Sequence, residues 1–197
     1  MIDNNFKLGA KVFRKDVLSV VEPSKLKLSD SRKRGYKRAK KHDLKLVEVD
    51  DLSSFWNELL IPNLNEKYDK DPVHNLEEIS NLKVLFPKNI RQFNVYDGDI
   101  LVAGATVFET PEVAHVQYIS GNADKNTLGS VDFLHVELIK NQFSDKKYYD
   151  FGMSHVSSGQ INESLHYWKE GFGALAITQD FIEIDVKKHT LLDQVFV

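Results

Sequence analysis

The sequence predicts an α/β fold, a mixed sheet covered by helices on both faces, and three observations predict it. Residues 90–96 and 100–108 are β-rich runs joined by an Asp97-Gly98 turn, the best local signal in the chain. Before them, Leu52, Phe55, Trp56, Leu59 and Leu60 fall at i, i+3, i+4, i+7 and i+8, the spacing of a helix with one buried face. After them, a strand from Val113 to Ser120 is followed by a helix and then by a strand at Tyr148 to Phe151. A helical crossover makes those last two strands parallel neighbours with a right-handed connection.

The elements follow in order. Ser29 or Asp30 caps a helix running to Lys41, with few apolar positions, before a strand over Leu44 to Val49. Asp50 and Asp51 offer caps for the helix containing Trp56, which Pro62 kinks or interrupts because proline has no N–H to donate. Asn75 with Glu78 reads as a capping box opening a second helix, with Leu76, Ile79 and Leu82 inward and a stop at Pro87. The hairpin comes next, then the Pro111-Glu112 turn and the third strand. A loop rich in Gly, Asn and Asp leads to a helix from about Ser130 to Phe143, and the strand at Tyr148 ends at Gly152. Asn162 caps a last helix with Leu165, Trp168 and Phe172 on one side, closed by Gly171 and Gly173; Ala174 to Ile184 supplies the final strand or two.

At 197 residues, with 42% hydrophobic and 28% charged residues, the chain can bury a full core. It has no apolar run of membrane-spanning length, and Met1 to Asn5 lacks the pattern of a signal peptide, so cytoplasmic residence is expected. The absence of cysteine excludes disulfides, thiol nucleophiles and cysteine-ligated zinc. The histidine spacings do not resemble a metal site, and none is expected. The net charge of -3 hides a basic stripe, with Arg32, Lys33, Arg34, Lys37, Arg38, Lys40 and Lys41 set against only Asp30 and Asp43. Such a stripe suits nucleic acid, a nucleotide phosphate or an acidic lipid surface, or is simply a solvated helix face.

Several segments carry a resemblance. Ala114 to Ile119, Leu128 to Asp132, Tyr149 to Ser154, Asn162 to Leu165 and Lys169 to Ala174, in that order, resemble the GNAT acetyltransferase superfamily, in the branch related to Fem-type peptidoglycan aminoacyltransferases. Pro72-Val73-His74 is similar to the same branch. The resemblance covers about Val47 to Asp185 and implies the acyl-CoA N-acyltransferase fold. On it, residues 1–46 read as an N-terminal extension with a basic helix, the remnant of a first lobe. Residues 47–185 read as the acyltransferase domain and 186–197 as a C-terminal tail. Arg32 to Lys41 looks like the segment joining two GNAT-like halves in longer relatives, so association with a second copy or a partner lobe is expected.

The resemblance also implies a chemistry. Acetyl-CoA is the expected acyl donor, its pantetheine arm along the strand edge at Gln117, Tyr118 and Ile119, its pyrophosphate at the helix entry formed by Thr127, Gly129 and Ser130. Asn162 and Tyr167 complete that set, Tyr167 as proton donor to the leaving thiolate. The usual glycine-rich Q/R-x-x-G-x-G/A run is absent, however, and Asn122 to Gly129 stands in its place. His115 is the candidate general base, or else a buried structural histidine. Alternation puts Val113, His115, Gln117 and Ile119 on one face and Tyr118 on the other. Asp150, at the carboxyl end of the neighbouring strand, orients an acceptor or a histidine, or anchors a turn. Lys169, in an aromatic-Lys-x-x-Phe-Gly setting like that of related aminoacyltransferases, meets the donor or the developing oxyanion, or serves the helix end. His74, Ser154 and His155 are candidates for the acceptor, a sugar, amino sugar or small molecule bearing an amine or hydroxyl. Transfer from aminoacyl-tRNA, and an idle binding module, are the alternatives.

Overall fold

The computed structural model describes residues 9–155 and 159–194. Its centre is a seven-stranded sheet built from β1 (Lys11–Val21), β2 (Lys45–Val49), β3 (Ile90–Asp97), β4 (Ile100–Glu109), β5 (Val113–Gly121), β6 (Tyr148–Met153) and β7 (Leu175–Glu183). The strands lie in the order β2-β3-β4-β5-β6-β1-β7. Only β5 and β6 run parallel; the other neighbours are antiparallel. The hairpin forms as the sequence predicts, with one shift. Asp97 pairs with Ile100, so the two turn residues are Gly98 and Asp99, and Gly98 at φ 58° supplies the left-handed first position of a primed turn.

The sequence reading assigns no element before Ser29, yet β1 is an inner strand of this sheet. It pairs with β6 through Leu18, Val20 and Val21 and with β7 from Lys11↔Glu183 to Val20↔Leu175. Its charged first half is exposed and its last residues, Ser19 to Val21, are buried. Lys11, Arg14, Lys15 and Asp16 interrupt the apolar pattern, and Val12 and Phe13 between them are exposed, so the buried signal lies in the second half.

Helices cover both faces. On one side lie α1 (Asp30–Lys41), α5 (Lys125–Leu128), α6 (Ser130–Glu137) with a π turn (Leu138–Gln142), and α7 (Glu163–Glu170), over a core that includes Phe93, Phe133, Ile139, Tyr149, Phe151 and Phe172. On the other lie α2 (Ser53–Phe55), a π turn (Trp56–Leu60), α3 (Ile61–Tyr68) and α4 (Leu76–Leu85), over Phe55, Trp56, Ile79 and Tyr118. The π turn is what Pro62 produces. With no N–H at that position the helix widens by one residue, and Ile61 N donates to Trp56 O. The Asn75 capping box forms in both directions, Glu78 N to Asn75 Oδ1 at 2.9 Å and Asn75 N to Glu78 Oε2 at 2.8 Å.

The near-absence of apolar residues in α1 has a steric explanation. Its buried positions are Gly35 and Ala39. A Cβ on Gly35 would lie 1.7 Å from Asp132 Oδ2, and one on Gly129 would lie 2.2 Å from Gly35 O, so α1 and α6 meet almost backbone to backbone. Gly129, expected at a pyrophosphate, is the glycine that permits this contact. Beside it Tyr36 stacks on Phe133 and donates to Glu137 at 2.7 Å.

His135 on α6 sits fully buried among Phe151, Trp168 and Phe172, with Nδ1 2.8 Å from the Tyr149 hydroxyl and Nε2 unpartnered. Burial first, then the charges of Lys169 and Arg32, push its pKa down to about 3. A histidine neutral in the fold and protonated in the unfolded chain stabilises above pH 6.5 and loses that contribution as pH falls towards 3. Urea unfolding from pH 6.5 to 5 should therefore show stability falling by up to about 1.4 kcal/mol per pH unit from this residue alone. His135→Gln, although less stable overall, should show a shallower slope. Equal slopes would mean that His135 is not held neutral.

Candidate functional site

The sheet comes apart at one place. β5 and β6 share three residue pairs, Val113↔Tyr148, Ala114↔Tyr149 and His115↔Asp150. Beyond His115, β5 stays with β4 as far as Gly121, while β6 stays with β1. Two local features accompany the parting. Gln117 is an extra residue in β5, since Val116 faces Val107 and Tyr118 faces Thr106. Such a bulge bends and twists its strand. In β6, Gly152 adopts φ 69°, and a Cβ there would sit 3.4 Å from His115 Cε1.

The bulge also corrects the predicted faces. His115 lies opposite Phe108 and Tyr118 opposite Thr106, two positions of β4 that share a face. His115 and Tyr118 therefore look the same way, while Ile119, opposite Ala105, looks the other way. Simple alternation gives the reverse because it does not count the extra residue.

At the vertex of the fork, His115 Nδ1 is 2.8 Å from Asp150 Oδ2, and Asp150 Oδ1 accepts from Gly152 N at 2.7 Å. A carboxylate can only accept, so the proton of the neutral imidazole is on Nδ1 and the Nε2 lone pair is free. The His115 side chain is 34% exposed, against 11% for Asp150, so the dyad has one buried and one accessible member. Behind it, Lys169 is 4% exposed and donates to Gly152 O at 3.0 Å and Met153 O at 2.7 Å. Burial lowers the Lys169 pKa to about 8, with Asp150 opposing the shift. The three residues expected to carry the chemistry are thus brought together, with Lys169 holding the end of β6.

Past the parting, the far end of β5 borders a cavity of about 380 Å³. Ile119, Ser120 and Gly121 form its sheet side, Leu165 and Trp168 of α7 face them, and α1, α3 and α6 close it with Arg32, Asn63 and Asp132 among others. From His115 to Ile119 is four residues of strand, roughly 13 Å at about 3.3 Å per residue. Arg32 forms an ion pair with Asp132 at the first turn of α6. Burial raises the Asp132 pKa, and Arg32 opposes this.

The remaining predicted residues divide. Ile119 lines the cavity. Tyr118 packs edge-on against Trp56, and its hydroxyl lies 2.6 Å from His74 Nδ1, so these two form a second polar pair on the His115 face. Ser130 is buried, with its hydroxyl towards Val102 O; Thr127 is exposed and does not line the cavity. Asn162 caps α7 by accepting from Leu165 N at 3.0 Å. Tyr167 is on the outer face of α7, in an open hollow with His166 and Glu170, away from Leu165 and Trp168. Ser154 is buried with an unpartnered hydroxyl, and His155 stands 4.0 Å from Asp16. Sequence reasoning missed Asn63, Lys67 and Lys125; the proline-induced π turn beside Asn63 is the nearest signal.

A seven-stranded mixed sheet with helices on both faces, parting between β5 and β6, is the fold to set beside known proteins. No protein-family model and no curated protein matches the sequence. Solved structures do. FemX matches with a TM-score of 0.72 and 10% identity, over 99% of this chain and 70% of that one. The C-terminal (DUF2156) domain assigned to a lysylphosphatidylglycerol synthetase from Agrobacterium fabrum matches with a TM-score of 0.65 and 14% identity, over 95% and 66%. L-PGS from Bacillus licheniformis gives 0.64 and 9%, over 95% and 67%. At these identities the likeness is one of fold, and the chain spans about two thirds of each of those structures.

Lys169 carries a pH signature. Its pKa is lower folded than unfolded, so the unfolded chain binds more protons between about 8 and 10.5, and stability rises with pH in that window. Unfolding measured from pH 8 to 9.5 should show this rise in the native sequence and not in Lys169→Met. A flat native profile would place the ammonium in solvent.

Proposed function

We propose that the chain is an acyltransferase that takes an acyl group from a phosphate-bearing carrier in the cavity and delivers it at the fork to an amine or hydroxyl of a small molecule or sugar. The observation that carries this reading is the end of the β5–β6 ladder at His115 and Asp150, because it places a free imidazole lone pair where the cleft begins. An amine attacking the acyl carbon forms the new C–N bond and gives its proton to His115 Nε2. As the carrier's C–O or C–S bond breaks, the imidazolium returns that proton to the leaving atom. Asp150 holds the tautomer and stabilises the imidazolium. Lys169 acts through Gly152 and Met153, fixing the turn against which His115 rests.

For the carrier, the 3′ end of an aminoacyl-tRNA has the better support. Lys33, Arg34, Lys37, Lys40 and Lys41 are exposed on α1, and that helix lines the cavity through Ser31, Arg32 and Arg38. Acetyl-CoA is the second reading, favoured by the apolar lining from Leu60, Leu64, Ile119, Val131, Leu165 and Trp168, which suits a pantetheine arm. Against it, the helix entry offers no glycine nest. Gly129 N already donates to Lys125 O, and the Asp132 carboxylate occupies the first turn.

No helix among the described residues is long and apolar enough to cross a membrane.

Two measurements test this. His115→Ala should leave the melting temperature nearly unchanged and lower turnover by about 10²- to 10⁴-fold. Asp150→Asn should lose a similar amount by freeing the imidazole tautomer, and full activity in both variants would remove the dyad from the mechanism. For the carrier, affinity for an RNA hairpin with a single-stranded 3′ end should fall steeply with added salt. A melting temperature raised by near-saturating acetyl-CoA, with no RNA binding at low salt, would select the second reading.

A further inference from the structure

Where the cavity meets solvent, two lysines from opposite layers stand against each other. Lys67 reaches in from α3 and Lys125 from α5, and both line the cavity. Lys67 Nζ donates to Asn63 Oδ1 at 2.7 Å. The Asn63 amide nitrogen is itself fixed by Leu59 O at 2.9 Å, Ser120 Oγ at 2.7 Å and Gly121 O at 3.0 Å, so its oxygen is held towards Lys67. Leu59 belongs to the π turn and Ser120 to β5, so the placement of Lys67 is built into the fold. Arg38 adds a third cation, tied to Asn126 O at 3.0 Å.

Among the described residues, no carboxylate forms an ion pair with Lys67, Lys125 or Arg38; the one carboxylate lining the cavity, Asp132, is paired with Arg32 and feels the Arg38 charge only without contact. Two ammonium groups brought together in a partly buried mouth repel, and a protein keeps such a pair at a cost in stability unless an anion joins it. Burial first and then the Lys67 ammonium hold the Lys125 pKa below the ordinary lysine value.

We propose that Lys67 and Lys125, with Arg38, clamp a phosphate group of the bound acyl carrier, replacing with side-chain cations the backbone nest this chain lacks. The inference rests on the acyltransferase reading above and deepens it. A pyrophosphate or phosphate ester bridges the two ammonium groups and links the α3 layer to the α5 loop, leaving the apolar part of the cavity for the arm that reaches the fork. The shared chemistry is a phosphate; its source is either a nucleotide carrier such as coenzyme A or the 3′-terminal phosphodiesters of an RNA.

The test is calorimetric binding of inorganic pyrophosphate at fixed ionic strength, with the intact chain and with Lys67→Gln, Lys125→Gln and, as a surface control in the exposed turn before β3, Lys88→Gln. The expected result is tenfold or greater weakening in each clamp variant and little change in the control. Without ligand, the clamp variants should melt at the same temperature as the native chain or higher, because one repulsive partner has gone. Lysines that serve only the fold would give lower melting temperatures. Equal pyrophosphate affinity in all four proteins, or no binding by the native chain, overturns the clamp. Displacement of bound pyrophosphate by coenzyme A or by a short RNA hairpin with a free 3′ end identifies the source, and displacement by neither overturns the link to an acyl carrier. Pyrophosphate binding through both lysines without acyl transfer would keep the clamp and remove the transferase reading. Acyl transfer unchanged when Lys67→Gln and Lys125→Gln are combined would remove the clamp alone.

Discussion

A parallel ladder of three residue pairs holds β5 to β6, and the geometry of the cleft depends on its stopping at His115 and Asp150. Were the two strands bonded further, the edge of β5 at Ile119 to Gly121 would be covered and α7 could not face it across a cavity. The stop has physical causes on both sides. The Gln117 bulge turns β5, and Gly152 takes a backbone conformation that an L side chain rarely adopts. Unpaired strand groups are costly when buried. Part of that demand is met by the Asp150 carboxylate on Gly152 N and by the Lys169 ammonium on two carbonyls. The charged groups at the fork therefore keep the strands apart in the same positions that suit them to proton transfer.

Electrostatics vary along the cleft in a consistent direction. At the vertex, positive and negative groups are matched within a few residues. Midway, Arg32 and Asp132 neutralise each other on the α1–α6 side. At the mouth, the cations have no matching carboxylate. A ligand with an apolar middle and an anionic outer end is what complements this sequence of environments.

Much of the fold was legible because it rests on local rules. The hairpin, the Asn75 box, the Asn162 cap and the break at Pro62 each depend on residues close in sequence. What stayed hidden was non-local. β1 buries apolar residues only near its end, at Val20 and Val21, and owes its place to partners more than a hundred residues away. A bulge such as that at Gln117 has no fixed composition, so alternation sent Tyr118 and Ile119 to the wrong faces. At the site, His115, Asp150 and Lys169 were found through motif resemblance, and the structure brings them together. Asn63, Lys67 and Lys125 lie in no motif, and only folding makes them neighbours. At Gly129 the structure shows a close crossing with α1, and a glycine needed by a crossing helix looks in sequence like one needed by a phosphate.

The position of β1 between β6 and β7 bears on how the molecule comes into being. Lys15 meets Asp180 across 165 residues of chain, so one flank of the sheet is assembled from segments far apart in sequence. Closing so large a loop is entropically unfavourable and slow, and during synthesis β1 emerges long before either neighbour exists. Until then the early strand must be kept from other pairing partners. β1 gains its second neighbour only when elongation has passed β7, so this flank of the sheet closes after the β3–β4–β5 meander has been made.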